Sequence, residues 1–122
     1  MRLTKAEEQV MQYLWDMNEA QVSQIRARFD DPKPARNTVS TVIRVLESKG
    51  VVSHRDWPGR GFIYFPLISK EEYTKTLMSR LLGDYFNNSF PALASFFAKE
   101  NDLSVKEMDE LLKEVKKDLK KK

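Results

Sequence analysis

Apolar residues recur along most of this chain at intervals of three and four, the pattern of helices that bury one stripe. Val10, Met11, Leu14 and Trp15 share one face, and Thr4 stands three residues before Glu7. That is capping-box spacing: the hydroxyl accepts an early backbone N–H while the carboxylate reaches back. The pattern predicts a first helix from Thr4 to about Met17, then a turn at Asn18-Glu19. A second helix is predicted from Val22 to Phe29 with Val22, Ile25 and Phe29 inward. Asp30-Asp31-Pro32-Lys33-Pro34 ends it, because proline lacks a donor and disfavours helix at the residue before it. A third helix is predicted to begin near Asn37, a good N-cap, and to bury Val39, Val42, Ile43 and Leu46 before Gly50 closes it in a left-handed conformation.

The period then changes. Val51–Arg55 and Phe62–Phe65 are rich in β-branched and aromatic residues, and Trp57-Pro58-Gly59-Arg60-Gly61 between them is a turn signal. Three helices followed by a two-stranded wing predict a winged helix-turn-helix over residues 1–66. Helical spacing returns after Pro66. Ser69 with Glu72 opens a helix to about Phe86, a short helix runs from Pro91 to Lys99, and Ser104 with Glu107 opens the last. The fold class expected is mainly α with a small β-wing, its second domain, residues 67–122, consisting of three helices.

Those three helices have wide apolar faces and no partner layer. Tyr73, Leu77, Leu81, Leu82, Tyr85 and Phe86, then Leu93, Phe96 and Phe97, then Leu111, Leu112 and Val115, would leave much apolar surface in water. At roughly 25 cal/mol per Å² that is costly, and a second copy of the chain is the expected cover. The alternative is that the helices fold back on the first domain.

Composition narrows the chemistry. Among 122 residues there is no cysteine and one histidine, His54. Disulfides, thiolate metal sites and a cysteine nucleophile are therefore excluded. No metal or cofactor is expected. With no Gly-rich phosphate loop and no carboxylate dyad (Asp30-Asp31 reads as a helix-ending pair), an enzyme is not expected. His54 reads as a partly exposed strand residue. No apolar run approaches the roughly 20 residues that span a bilayer, and residues 1–8 lack the apolar core of a signal peptide, so no membrane insertion and a cytoplasmic location are expected.

Net charge is only +3. Its distribution says more: between Pro32 and Arg60 six basic residues face two acidic ones, an excess of four. Lysines 116, 117, 120, 121 and 122 form a second cluster, explained by the negative end of a last helix. In a helix-turn-helix the second helix of the pair enters the major groove. On the third helix Thr38, Ser40, Thr41 and Arg44 are left facing out, with Arg44 able to pair with guanine. Arg36 and Asn37 stand at its start. Lys49 and Arg55 are expected to neutralise phosphate, and Arg60, at the wing tip, to reach phosphate or the minor groove. The expected partner is double-stranded DNA, bound as a palindrome by a homodimer. A winged helix that binds protein and no specific DNA is the alternative.

With those residues in view, the chain resembles the penicillinase-repressor family, the BlaI/MecI/CopY group of bacterial regulators. The resemblance lies in Leu3-Thr4-Lys5-Ala6-Glu7 with Val10-Met11 and Leu14-Trp15, and in Asn37-Thr38-Val39-Ser40-Thr41-Val42 with Leu46, Lys49 and Gly50. Gly61-Phe62-Ile63-Tyr64-Phe65-Pro66 looks like the family's wing strand, and Asp102-Leu103-Ser104 leading to Glu107 and Leu111-Leu112 like its last helix. The resemblance implies a homodimeric transcriptional repressor on a palindromic operator over β-lactamase, methicillin-resistance or copper genes. In the antibiotic branch it implies a membrane sensor protease and a cut in the dimerisation part. The copper branch signals through C-terminal cysteines, which this chain lacks. Two positions depart from the pattern. Many relatives carry Arg where Val45 stands, and the Asn-Phe bond cut in the antibiotic branch corresponds here to Phe96-Phe97.

Overall fold

The computed structural model describes residues 2–121; Met1 and Lys122, the latter part of the lysine cluster, lie outside the described residues. The chain forms α1 (Lys5–Met17), α2 (Val22–Ala27), α3 (Arg36–Ser48), β1 (Val52–Trp57), β2 (Gly61–Pro66), α4 (Lys70–Phe86), α5 (Phe90–Glu100) and α6 (Val105–Lys120). It divides into two compact units, Met1–Thr76 and Leu77–Lys122, which meet within α4.

The first unit is the expected three helices and wing. Thr4 and Glu7 form their capping box: the Thr4 amide donates to Glu7 Oε1 (2.8 Å) and the Glu7 amide to Thr4 Oγ1 (3.2 Å). Val10, Met11 and Leu14 of α1, Ile25 of α2, and Val39, Ile43 and Leu46 of α3 pack into one core with Val51, Val52 and Tyr64. Removing each such side chain from water contributes roughly 1.5–3 kcal/mol. Val42 lies at the rim of that core, half-buried.

Two helix boundaries in this unit differ from expectation. α2 ends at Ala27, and the chain continues to Phe29 in tight turns, with the Arg28 amide donating to Ile25 O and the Phe29 amide to Arg26 O, both at 3.1 Å. Lys33 Nζ donates to the freed carbonyls of Ala27 and Phe29. Phe29 still packs inward, its ring edge-on to Tyr13 at 5.1 Å. α3 starts two residues earlier than an Asn37 N-cap would set it, with Ala35 in the N-cap place and no side-chain cap. An N-cap side chain is worth about 1 kcal/mol, less than the burial that fixes where α3 lies.

The wing is an antiparallel ribbon in which His54 faces Tyr64, Arg55 faces Ile63 and Asp56 faces Phe62. Its tip is a four-residue turn closed by the Arg60 amide on Trp57 O (2.8 Å). Pro58 holds the second position and Gly59, at φ +78°, the third, the requirement of a type II turn. A third segment joins the ribbon: Ala20 and Tyr64 exchange backbone hydrogen bonds at 2.9 and 2.8 Å. The α1–α2 turn therefore anchors the wing. The start of α4 is held to the same unit by Trp15, whose indole donates to Ile68 O (2.9 Å) and stacks near Tyr73 (5.7 Å).

The second unit comprises the rest of α4 with α5 and α6. Ser89 caps α5, Ser104 and Glu107 form the expected capping box of α6, and Lys117 and Lys120 lie in its last turn, where the dipole favours cations. Phe86 and Phe96 meet edge to face at 5.6 Å. No residue of the stretch 77–121 is buried. No helix among the described residues is long and apolar enough to cross a membrane.

Glu7 ties the frame together. It is only 6% exposed, and Lys49 Nζ lies 2.6 Å from its carboxylate. Burial pushes its pKa up, but the hydrogen bonds from Lys49 and Thr4 outweigh this and leave it below 4.5. Its stabilising effect is thus complete above pH 4.5 and is lost as pH falls through the lowered native value. Glu7→Gln keeps the cap and removes the charge pairing. By thermal unfolding it should be less stable at pH 7, by about 1–3 kcal/mol, and the gap to the parent should close as pH falls below 4.5 and through the lowered native value. A gap that persists in acid would contradict this role.

Candidate nucleic-acid interface

The buried stripe of α3 sets what its other faces present. Successive residues turn by about 100°, so Asn37, Thr41 and Ser48 lie opposite Val39, Ile43 and Leu46. All three are exposed, and Val45 and Thr38 stand beside them on the flank away from the wing. Thr41 Oγ1 donates to Asn37 O at 2.9 Å, which leaves its methyl group free to meet an apolar partner.

Arg36, Ser40, Arg44 and Glu47 form the other flank. They line a cleft between α3 and the wing, together with Gln21, Ser23, His54, Arg60, Phe62 and Tyr64. Three guanidinium-bearing side chains thus converge on one furrow. Arg44 stands at the border of cleft and outer crest, within reach of either. Its charge is felt at Tyr64, whose phenol titrates above its ordinary value because of burial first and Glu47 second, with Arg44 partly offsetting them.

The wing tip is held in place. Gln21 Nε2 donates to Arg60 O at 2.5 Å, and the Arg60 guanidinium carbon lies 5.9 Å from the centre of the Trp57 ring, a cation–π arrangement. The Gln21 amide also donates to Gln24 Oε1 (2.8 Å) at the start of α2, so one short segment orients both the helix pair and the wing.

The structure does not gather every expected cation into this furrow. Strand alternation puts Arg55 on the ribbon face opposite His54, and both its terminal nitrogens sit 2.9 Å from Glu19. That fork lowers the Glu19 pKa and raises that of Arg55. Lys49 is engaged by Glu7 and by the carbonyl of Arg2 at 3.1 Å. Lys33 caps α2. Arg36, Asn37, Thr38, Ser40, Thr41, Arg44 and Arg60 remain on or beside the open surface.

Sequence reasoning missed Gln21, Ser23, Glu47 and His54 as neighbours of this surface. For His54 a signal was available: it alternates in step with the apolar Val52 and pairs with Tyr64. Nothing local marks Gln21, whose partner lies 39 residues away.

Of the apolar residues expected to mediate association, Tyr73 is covered within its own chain, 5% exposed beside Trp15. Its hydroxyl donates to Glu8. The others stay open: Tyr85 is 77% exposed, Phe96 55% and Phe97 54%, with Leu77, Leu81, Leu111, Leu112 and Val115 exposed as well. Leu82, Phe86 and Leu93 are half-buried. Leu81, Tyr85, Phe86 and Phe96 surround an apolar hollow.

Comparison with known proteins agrees with this architecture. The penicillinase repressor family model matches residues 3–117. The penicillinase repressor of Bacillus licheniformis is 23% identical over 111 residues, covering 90% of this chain and 86% of that protein. A solved structure of the Giardia lamblia Hop2–Mnd1 complex aligns with 96% of this chain and 79% of its own, at 14% identity and a TM-score of 0.44, a likeness too slight to bear on fold or function. The three-helix-and-wing unit and a match over nearly the whole length together place this chain in the penicillinase repressor family of DNA-binding transcriptional repressors.

Proposed function

We propose that the chain acts as a homodimer on a palindromic operator, each copy laying α3 in a major groove and its wing against the neighbouring backbone. The convergence of Arg36, Arg44 and Arg60 on the cleft carries this reading. A sugar–phosphate strand running between helix and wing would meet all three, while the Asn37–Thr41 crest faces base edges. Lys49 and Arg55, tied to Glu7 and Glu19, contribute mainly by stiffening the frame. The genes controlled are proposed to be those of a resistance operon.

The second unit supports the dimer. A stretch with no buried residue and eleven exposed Leu, Phe, Tyr and Val side chains gains by burying them against a copy of itself, since a stable interface removes about 1,600 Å² from water. Two half-sites read together then bind far more tightly than one. Release is proposed to follow a cut near Phe96-Phe97 in α5, made by a membrane sensor protease. Losing α6 would take Leu111, Leu112 and Val115 out of the association surface and uncouple the two DNA-binding units.

The test is fluorescence anisotropy on the duplex upstream of the chain's own gene, against a scrambled duplex. The parent should prefer its own DNA. Arg44→Ala should cost about 1–3 kcal/mol, roughly tenfold or more, and lower the salt slope by about one. Arg55→Ala should cost less, because Glu19 already holds that side chain. Equal binding to both duplexes would overturn the reading and favour a protein partner instead.

Sedimentation tests the assembly separately. The parent should be dimeric at micromolar concentration, and Leu81→Asp with Leu112→Asp should leave a folded monomer whose operator affinity falls by about a hundredfold. A parent that sediments as a monomer would contradict the dimer.

A further inference from the structure

We infer that His54 is itself a phosphate-contacting residue of the DNA interface, set in place by Glu47, so that operator binding takes up a proton at this ring. The inference rests on the proposed placement of a DNA strand in the cleft between α3 and the wing.

The geometry comes first. His54 lies on the ribbon face that lines the cleft. Its ring is fixed on three sides: Phe62 at 4.7 Å, Tyr64 at 5.5 Å, and Glu47 Oε2 at 2.5 Å from Nδ1. Glu47 is ordinarily an acceptor only, so Nδ1 carries a hydrogen in this pairing. Nε2 makes no hydrogen bond among the described residues. A side chain held in one tautomer, its second nitrogen uncommitted, on a cleft that Arg36, Arg44 and Arg60 also line, is arranged to meet an anion.

The charge on Nε2 decides whether it can. A neutral ring with hydrogen on Nδ1 offers a lone pair, which a phosphate oxygen repels. An imidazolium offers N–H and a positive charge, which a phosphate oxygen accepts. The negative charges of Glu47, and of Asp56 two residues along the same ribbon face, favour that form. The three arginines disfavour it, and Tyr64 faces the ring as a neutral phenol. A phosphodiester entering the cleft brings a negative charge where those arginines otherwise dominate. Binding therefore draws a proton onto the ring, and by reciprocity protonation strengthens binding.

The chain makes this assignable. His54 is its one histidine, the side-chain type whose ordinary titration falls between pH 5 and 8. Operator DNA has no group that titrates there.

The experiment is anisotropy on the chain's own operator from pH 6 to pH 8 at constant salt, with the scrambled duplex in parallel. The parent should bind about tenfold tighter at pH 6. His54→Gln should bind at every pH about as the parent does at pH 8. His54→Lys, a permanent cation, should restore strong binding without pH dependence. Glu47→Gln keeps an acceptor for Nδ1 but removes the charge, and should move the rise in affinity to lower pH. Preference for the operator with no change between pH 6 and 8, or an unchanged pH slope in His54→Gln, would overturn the role of His54 and leave the repressor reading intact. No preference for the operator at any pH would instead overturn the placement of DNA in the cleft.

Discussion

The burial of one stripe of α3 governs the rest of this molecule. Val39, Ile43 and Leu46 are essentially inaccessible, and turning the helix about its axis would expose them. At 1.5–3 kcal/mol for each side chain, a rotation of even one residue costs more than any surface contact could return. The rotation of α3 is therefore fixed from inside. With it comes the division of its outer surface into a hydroxyl-and-amide crest and an arginine-bearing flank. The second constraint is the bridge between Ala20 and Tyr64, which fastens the wing to the α1–α2 turn and so sets the width of the cleft that the flank faces.

Counting charges along the sequence overstates what this surface offers to an anion. Of the six basic residues between Pro32 and Arg60, Lys33 caps a helix, Lys49 pairs with Glu7, and Arg55 forks onto Glu19. Three arginines face the cleft. These pairings also explain how a chain of net charge +3 can concentrate its field. Acidic residues neutralise cations elsewhere in the unit and leave the furrow positive, while Glu47 takes its place beside the histidine.

What was legible in the sequence was local. Capping boxes at Thr4/Glu7, Ser69/Glu72 and Ser104/Glu107 lie three residues apart and appear as read. The apolar stripes of α1 and α3 and the Pro58-Gly59 turn are equally short-range. The boundaries that moved did so where tertiary packing outweighed a preference of about 1 kcal/mol, as when α3 began before Asn37. For the candidate site the sequence made exposure legible, at Thr38, Thr41 and Arg44. Pairing with a distant partner was not legible: Glu7 and Lys49 are 42 residues apart, Glu19 and Arg55 36. Tyr73 shows the same limit among the apolar positions, since helical spacing cannot tell a side chain covered by Trp15 from one left open.

The two units do different physical work. The first has a shared apolar core and, among the described residues, no buried polar side-chain atom without a partner. The second shows regular helices and no buried residue in the stretch 77–121. The claim on which the account turns is that α3 and the furrow beside it are what DNA touches. Amide chemical-shift mapping by NMR, titrating the full chain with its operator duplex, tests it most directly. Shifts concentrated in residues 36–48 and at the 57–61 wing tip, with the Glu19–Arg55 side quiet, are the predicted result; shifts centred on α4–α6 with α3 unmoved would contradict it.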